Sequence, residues 1–484
     1  MKNLNIKLAG YLLMLIPVVG SMSCQKLDES PESISTPSNF YRSVSQCEAA
    51  YTGAMNALWV TWGGYQNPVT LPDGQYDDAS LDFGVSSFND FWIWHYKAIG
   101  NINEVLKAVK AGSLEGNAEE TIANTVAQGR FLRAFNYFTL VRLYGKIPYI
   151  TEDTPDPVTT PLTPESRLEI ADVYGLIISD LQYAVDHLGD YDGGVPGKPD
   201  KWVAKGLLAK VYITMATAPL NKTEYYAQAR DIADDVIENS PYGLLDNFED
   251  VFKTSNNRNM EIMFAFYESS DAPYMPGNVW APSEMDGWSG GPVKILWATD
   301  IFPEQPRKHS YLLLDFTSNI YDPSAPVINW SASADGVPYV GKYNMPNLTY
   351  EQQVSGGDAG IEIKILRFAD ILLLYAEAAN MANGGPTQKA VDRLNQIIDR
   401  ANAGTGTEER AGMAMSAAAF DKKVIDERSF ELCFENDRYF DVLRKRLLQE
   451  VNLPDNAQGY DDNDYLLPIP ALDAKAIGQN PGYE

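Results

Sequence analysis

Aromatic rings gather in two stretches of this 484-residue chain. The first runs from Trp59 to Trp94 and includes Trp62, Tyr65, Tyr76, Phe88 and Trp92, with Asp73, Asp77 and Asp78 among them. The second runs from Tyr274 to Trp330 and includes Trp280, Trp288 and Trp297. An aromatic ring offers an apolar face with a negative quadrupole, which packs on the C–H face of a sugar. Carboxylates and amides beside it can bond the hydroxyls. Gly63-Gly64 and Pro72-Asp73-Gly74 mark loops, so Trp62, Tyr65 and Tyr76 are candidate ligand rings, with Asp73, Asp77 and Asn101 as hydrogen-bonding candidates. Trp280, Trp288 and Trp330 sit in Pro/Gly-rich sequence and join them. Trp92 shares a helical stripe with Tyr96 and Ile99, and Trp297 lies inside Ile295-Leu296-Trp297, so both read as core. Two or three stacked rings at about 0.5–1.5 kcal/mol each, plus a few hydrogen bonds, give an affinity on the order of mM to µM.

Other chemistries find less support. Cys24, Cys47 and Cys433 are far apart, which excludes a CxxC site or a disulfide framework. His95, His187 and His309 share no HxH or HExxH spacing, so no metal site is expected, and His187 reads as a lone side chain at a helix end. Gly287-Trp288-Ser289-Gly290-Gly291 matches G-x-S-x-G, the pattern of a serine hydrolase. A nucleophile elbow needs a strand before it and a helix after it, and prolines flank this one. Asp461-Asp462-Asn463-Asp464 has calcium-ligand chemistry but reads better as a solvated acidic turn. Among 65 acidic residues, a pair such as Asp77/Asp78 says nothing about glycosidase chemistry. No P-loop or GxGxxG appears, and no cofactor is expected.

Composition narrows the class. At 45% hydrophobic and 11% aromatic residues the chain has ample material for a core and is not a disordered protein. A formal charge of -27 would repel nucleic acid and anionic membrane surfaces. The one long apolar run is Leu8–Gly20, which follows Lys2 and Lys7 and is shorter than the ~20 residues of a membrane span. Ser21-Met22-Ser23-Cys24 then resembles a bacterial lipoprotein cleavage site, although Leu is missing three residues before Cys24. Residues 1–23 are therefore expected to be a lipoprotein signal peptide, Cys24 the lipidation site, and residues 24–36 an acidic tether. Loss of two lysines leaves the mature chain at -29, which favours projection into solvent. One acyl chain binds only marginally, so stable anchoring calls for two or three.

The elements that must hold the rings are helical. Cys47, Ala50, Tyr51, Ala54 and Leu58 form one stripe, with Ser45-x-x-Glu48 as a capping box. Trp92, Tyr96, Ile99, Ile102 or Asn103, Leu106 and Val109 form a second. A third helix spans about 121–144, stopped by Gly145 and Pro148. Further helices are expected at about 165–188, 201–216, 223–239, 363–382, 387–401, 420–434 and 439–449. Trp202 and Gly206 open a helix pair, and the spacing Ala229, Ala233, Val236 recurs as Ala390, Leu394, Ile397, in the manner of degenerate tetratricopeptide repeats. Such pairs must stack to bury their apolar faces. Residues 241–360 are Pro- and Gly-rich with short β-like runs such as Met260–Phe266, and read as a loop-rich, partly β insertion between helical parts at about 37–240 and 361–484.

Four segments then point to a family. Gly129–Tyr137 closing with Leu143–Pro148, Leu366–Ala378, Ile425–Leu432 with Phe434–Arg444, and the tail Gln479–Tyr483 resemble signatures of the SusD/RagB family, in the family's order. The resemblance implies a mainly α fold: tetratricopeptide-like helix pairs forming a single SusD-like domain over 37–484. It implies a lipid-anchored protein of the cell outer membrane, facing the exterior, which binds an oligo- or polysaccharide and delivers it to a SusC-like TonB-dependent transporter without catalysis. A peptide- or protein-binding member of the same fold is the alternative, and a serine hydrolase a remote one. Family binding sites resemble the aromatic arrangement described above but follow no fixed motif. The signature residues Arg130, Arg133, Arg367, Glu377, Glu427, Arg428, Glu431, Glu435 and Arg438 fall among apolar residues and read as buried or half-buried ion pairs that fix helix register.

Overall fold

Apolar residues at helical spacing produce a stack of paired helices. The computed structural model describes residues 40–63, 86–155, 159–191, 193, 197–267, 281–287, 289, 292–319, 321–322, 324–342, 362–435, 437–452 and 460–483. In the first half, α1 (Val44–Gly63), α2 (Ser86–Lys110), α3 (Glu119–Tyr144), α4 (Ile170–His187), α5 (Lys201–Ala216) and α6 (Tyr225–Asn239) pack pairwise in chain order. Next come the short α7 (Pro306–Tyr311), then α8 (Phe368–Asn383), α9 (Gln388–Asn402), α10 (Ala417–Glu431), α11 (Arg438–Lys445), α12 (Leu448–Asn452) and α13 (Ala471–Ile477). α8 packs on α6, which joins the two helical halves.

Burial follows the expected stripes. Cys47, Tyr51, Ala54 and Leu58 of α1 and Trp92, Ile99, Ile102, Leu106 and Val109 of α2 are buried in one large core. The repeat residues Ala229, Ala233, Val236, Ala390, Leu394 and Ile397 are completely buried. Close approach is built in at two glycines. A Cβ on Gly129 would lie 2.4 Å from the Tyr51 hydroxyl oxygen and 2.8 Å from Leu106. A Cβ on Gly206 would lie 2.8 Å from Leu366. Both are helix-interior positions where glycine normally destabilises by roughly 0.5–1 kcal/mol, so packing overrides propensity.

A second, smaller core sits in the middle of the sequence, around Phe248, Val251, Phe302, Tyr311, Leu312, Phe316 and Tyr339, with Phe430, Cys433 and Phe434 closing it from the end of α10 and just beyond. Its strands are short. β1 (Ile147–Pro148) pairs with β2 (Arg167–Leu168), outside this core. β3 (Ile262–Tyr267) pairs antiparallel with β8 (Glu362–Arg367), β4 (Leu312–Leu313) with β7 (Tyr339–Val340), and β5 (Asp315–Thr317) with β6 (Val327–Asn329).

Three expectations need correction. Residues 362–367 are a strand, and the helix begins only at Phe368. Ile363 and Ile365 alternate with charged neighbours, a period-2 pattern that overrides the helical reading of so short a window. The α1 cap is Ser43, whose hydroxyl accepts from the Gln46 N–H at 3.3 Å, while Ser45 lies inside the helix. The helix expected at 439–449 is broken at Arg446, where φ is +59°. A left-handed residue of this kind closes a helix C-terminus, and the Arg446 guanidinium lies 4.1 Å from the centroid of the Tyr465 ring.

Candidate functional site

The charged signature residues point inward and divide into three groups. On α3, the Nε and Nη2 of Arg133 donate to Asp180 at 2.8 and 2.9 Å, Nη1 donates to Asn103 at 3.0 Å, and Glu152 completes the ring of acceptors. Arg130 lies 4.2 Å over the Tyr183 ring and 3.9 Å from Asp180.

The second group joins α5, α8, α10 and α11. Arg428 uses all three of its guanidinium nitrogens: Nη1 to Asp370 at 2.6 Å, Nη2 to Asp437 at 2.7 Å and Nε to Asp441 at 2.7 Å. Lys210 also pairs with Asp370 and Asp437, each at 2.7 Å. Arg444 binds Glu377 through both terminal nitrogens, at 2.5 and 2.7 Å. Glu377 is buried, which would raise its pKa, yet Arg444 and Lys445 hold it down at about 2. Opposite charges must be paired this closely when removed from water.

The third group ties the smaller core to α9 and α10. Arg367 donates to Glu435 at 2.5 and 2.7 Å and to Glu261 at 2.5 Å. Arg400 bridges Glu261 and Glu431 at 2.6 and 2.8 Å. Arg307 donates to Glu427 at 2.6 Å and Glu431 at 2.7 Å. Burial, with the neighbouring Glu408 carboxyl, pushes the Glu427 carboxyl up to about 8 despite Arg307. Arg438 is half-buried at the start of α11. The tail signature locks the end of the chain: Asn480 donates to the carbonyls of Tyr144 and Leu467 at 3.0 and 2.7 Å, and Arg167 donates to its amide oxygen.

These groups tie the helices together from within. Trp92 is buried edge-on to Tyr144 at 5.0 Å, a core residue. Trp297 is half-buried, packed on Phe302 at 4.9 Å and Phe434 at 6.1 Å, also on the core side. Asn101 is exposed on the outer face of α2, in line with exposed Ile93 and Lys97. Lys97 lies 4.3 Å over the half-buried Trp94 ring. Trp62 falls in the last turn of α1, with its side chain outside the described residues. Tyr65, Asp73, Tyr76, Asp77, Trp280 and Trp288 lie outside the described residues, as does Cys24.

Trp330 is half-buried against the smaller core. It follows β6, where the Asn329 amide donates to Leu314 O and Asp315, both at 3.1 Å. Beside it the Ser289 hydroxyl donates to Asp335 at 2.9 Å, Tyr339 donates to the same carboxylate, and Glu284 accepts from the Ala334 N–H at 2.7 Å. The segments 283–289 and 329–340 are thereby drawn together into a polar rim next to a ring. Exposed Val327 and Tyr321 on the same hairpin extend this surface, and sequence reading did not single them out.

Among the described residues Ser289 has neither the strand before it nor the helix after it that a nucleophile elbow uses. It sits between a 3-10 turn at Ser283–Met285 and a β-bridge at Pro292, and its hydroxyl is bonded to a carboxylate. His309 pairs with Glu304, and His95 is buried against Asn136 at 2.7 Å with its pKa pushed down to about 3 by burial. His187 ends α4 stacked on Tyr183 at 4.1 Å. The acidic run 461–464 caps its own 3-10 turn, Asp461 accepting from Asn463 N–H at 2.7 Å. Among the described residues no cluster of His, Cys, Asp and Glu could hold a metal ion, and no helix is long and apolar enough to cross a membrane.

Stacked helix pairs, buried ion pairs that tie α5, α8, α10 and α11 together, and an irregular insertion carrying half-buried rings define a SusD-like architecture. A family model described as the SusD family matches residues 303–483, and one described as starch-binding associating with outer membrane matches 25–213. The chain belongs to the SusD family. It is similar to the SusD-like protein P2 of Formosa agariphila, with 27% identity over 98% of this chain and 99% of that one. Among solved structures it resembles a SusD homolog from Bacteroides thetaiotaomicron, with a TM-score of 0.75 at 20% identity over 92% of this chain and 98% of the other. It also resembles surface glycan-binding protein A of the same organism in complex with laminarihexaose, with a TM-score of 0.69 at 18% identity over 90% and 99%.

Proposed function

We propose that this protein captures an oligo- or polysaccharide at the outer face of the cell outer membrane and passes it, chemically unchanged, to a SusC-like TonB-dependent transporter. Residues 1–23 act as the export signal, Cys24 carries the lipid, residues 24–36 are the tether, and 37–484 form the capturing body. The match to SusD-type models over both halves of the chain is the observation that carries this reading. The laminarihexaose complex of a similarly folded protein supports a glycan as the cargo. Ring faces at Trp62, Tyr65, Tyr76, Trp280, Trp288 and Trp330 stack on sugar C–H faces, while Asp73, Asp77 and Asn101 bond hydroxyls.

The test is native electrophoresis of the intact protein through gels holding a panel of glycans, with the reducing ends of the recovered glycans counted. Retardation by one glycan without new reducing ends supports the proposal. New reducing ends would overturn it in favour of a hydrolase, and retardation only by a peptide or protein would favour the peptide-binding alternative.

A further inference from the structure

Arg142 differs from the other cations at the centre of the body. It lies on α3 between the rings of Phe138 and Phe440, with Cζ 3.8 and 3.4 Å from their centroids. Its Nε donates to the Phe138 carbonyl at 3.0 Å. Among the described residues, its terminal nitrogens have neither a hydrogen-bond acceptor nor a carboxylate within ion-pair reach. Arg428 and Arg444, close by, are each held by two or more carboxylates.

Arg142 lines a cavity of about 110 Å³ between α3, α4, α5, α11 and the segment 462–466. Tyr174 of α4 lines it too, and its hydroxyl also has no hydrogen-bond partner among the described residues. Ile170 and Leu443 supply apolar wall. At one end Arg446 pairs with the exposed Asp462 at 3.5 Å, which places an opening at the surface. Among the described residues, Asp462 is the one acidic side chain lining the cavity, and it is thus already engaged. Burial draws the Arg142 pKa down to about 10, so the group stays charged at neutral pH.

A cavity presenting two donors without acceptors suits a ligand made of acceptors. Charge-assisted bonds from a guanidinium to an oxyanion are among the strongest a protein makes. An apolar cavity of roughly 150 Å³ holds benzene, so this one takes something slightly smaller. We propose that the cavity binds a small oxyanion, either a carboxylate of about two to four carbons or a sulfate group, gripped by the Arg142 guanidinium and the Tyr174 hydroxyl. Bound there, the anion ties the first helical half to α11 and the chain's tail. The inference is independent of the sugar-binding reading.

The experiment is calorimetric titration of the full chain with sodium acetate and, separately, sodium sulfate at constant ionic strength. The wild type is expected to bind at least one of them saturably at 1:1. Acetate alone points to a carboxylate ligand and sulfate alone to a sulfated one. Arg142→Gln should weaken binding about 10- to 100-fold, the worth of a hydrogen bond to a charged group. Tyr174→Phe keeps the ring and should weaken it several-fold, which keeps the test decisive if Arg142→Gln fails to fold. No saturable binding by the wild type, as for a cavity holding only water, overturns the proposal. So does binding that Tyr174→Phe leaves unchanged.

Discussion

The two charge clusters of the C-terminal half use the same residue types and reach different balances. Around Arg428 each guanidinium nitrogen has its own carboxylate, and Lys210, Arg444 and Lys445 share the rest. Around Arg307, three glutamates converge on one guanidinium, and the Glu408 carboxyl lies against that of Glu427. The consequence is chemical. Glu377 in the first cluster stays ionised down to about pH 2, whereas Glu427 in the second holds its proton up to about pH 8. Both clusters brace helix junctions, but they hold Glu377 and Glu427 on opposite sides of the ordinary carboxylate value.

The largest effect expected from breaking this contrast is at Arg428. Arg428→Met takes one cationic partner from each of buried Asp370, Asp437 and Asp441, and the loss should be on the order of 3–5 kcal/mol, read by urea denaturation. A loss below about 1 kcal/mol would mean that Lys210 and Arg444 suffice without it. A steric change within α3 comes next. Gly129→Ala pushes a methyl into Tyr51 and Leu106, and should cost about 1–3 kcal/mol with the ion pairs intact.

Acid sharpens the contrast further. Glu377 has a folded pKa below its ordinary value of 4.5. Its contribution is present above that value and is lost as pH falls through it toward 2. Glu427 works in the opposite sense. Its folded pKa is raised, so the folded state holds the extra proton, and stability declines as pH rises from about 4.5 to about 8. Glu427→Gln imitates the protonated acid. It should change stability by less than about 1 kcal/mol at pH 7 and flatten that decline, measured as melting temperature against pH. A decline of unchanged slope would place the titrating group elsewhere.

The same contrast explains what the sequence made legible. The helices are legible because α1, α2 and α6 repeat apolar residues at turns of 3.6, and because signature charges such as Arg428 and Glu377 stand inside apolar runs where only pairing makes them tolerable. Strand 362–367 reads as the start of a helix from sequence, since six residues hold too few periods to separate the two patterns. The break at Arg446 carries no glycine to announce it. The Glu427 imbalance depends on which carboxylates meet Arg307 across 120 residues of sequence, a matter of tertiary geometry alone. Ligand rings are the least legible. Trp92 and Trp297 could be assigned to the core from their helical or apolar neighbours, and the structure puts them there. Trp330 sits on a short hairpin with no repeating pattern, half against the core and half outside it.

Buried ion pairs hold the scaffold together, and we propose that aromatic rings, Trp288 among them, carry the ligand chemistry. Trp288→Ala tests this most directly, with glycan retention and melting temperature measured on the same preparation. The account predicts that retention of the bound glycan falls sharply while the melting temperature moves by less than about 2 °C. A collapse of the melting temperature, or retention equal to that of the unaltered protein, would contradict it.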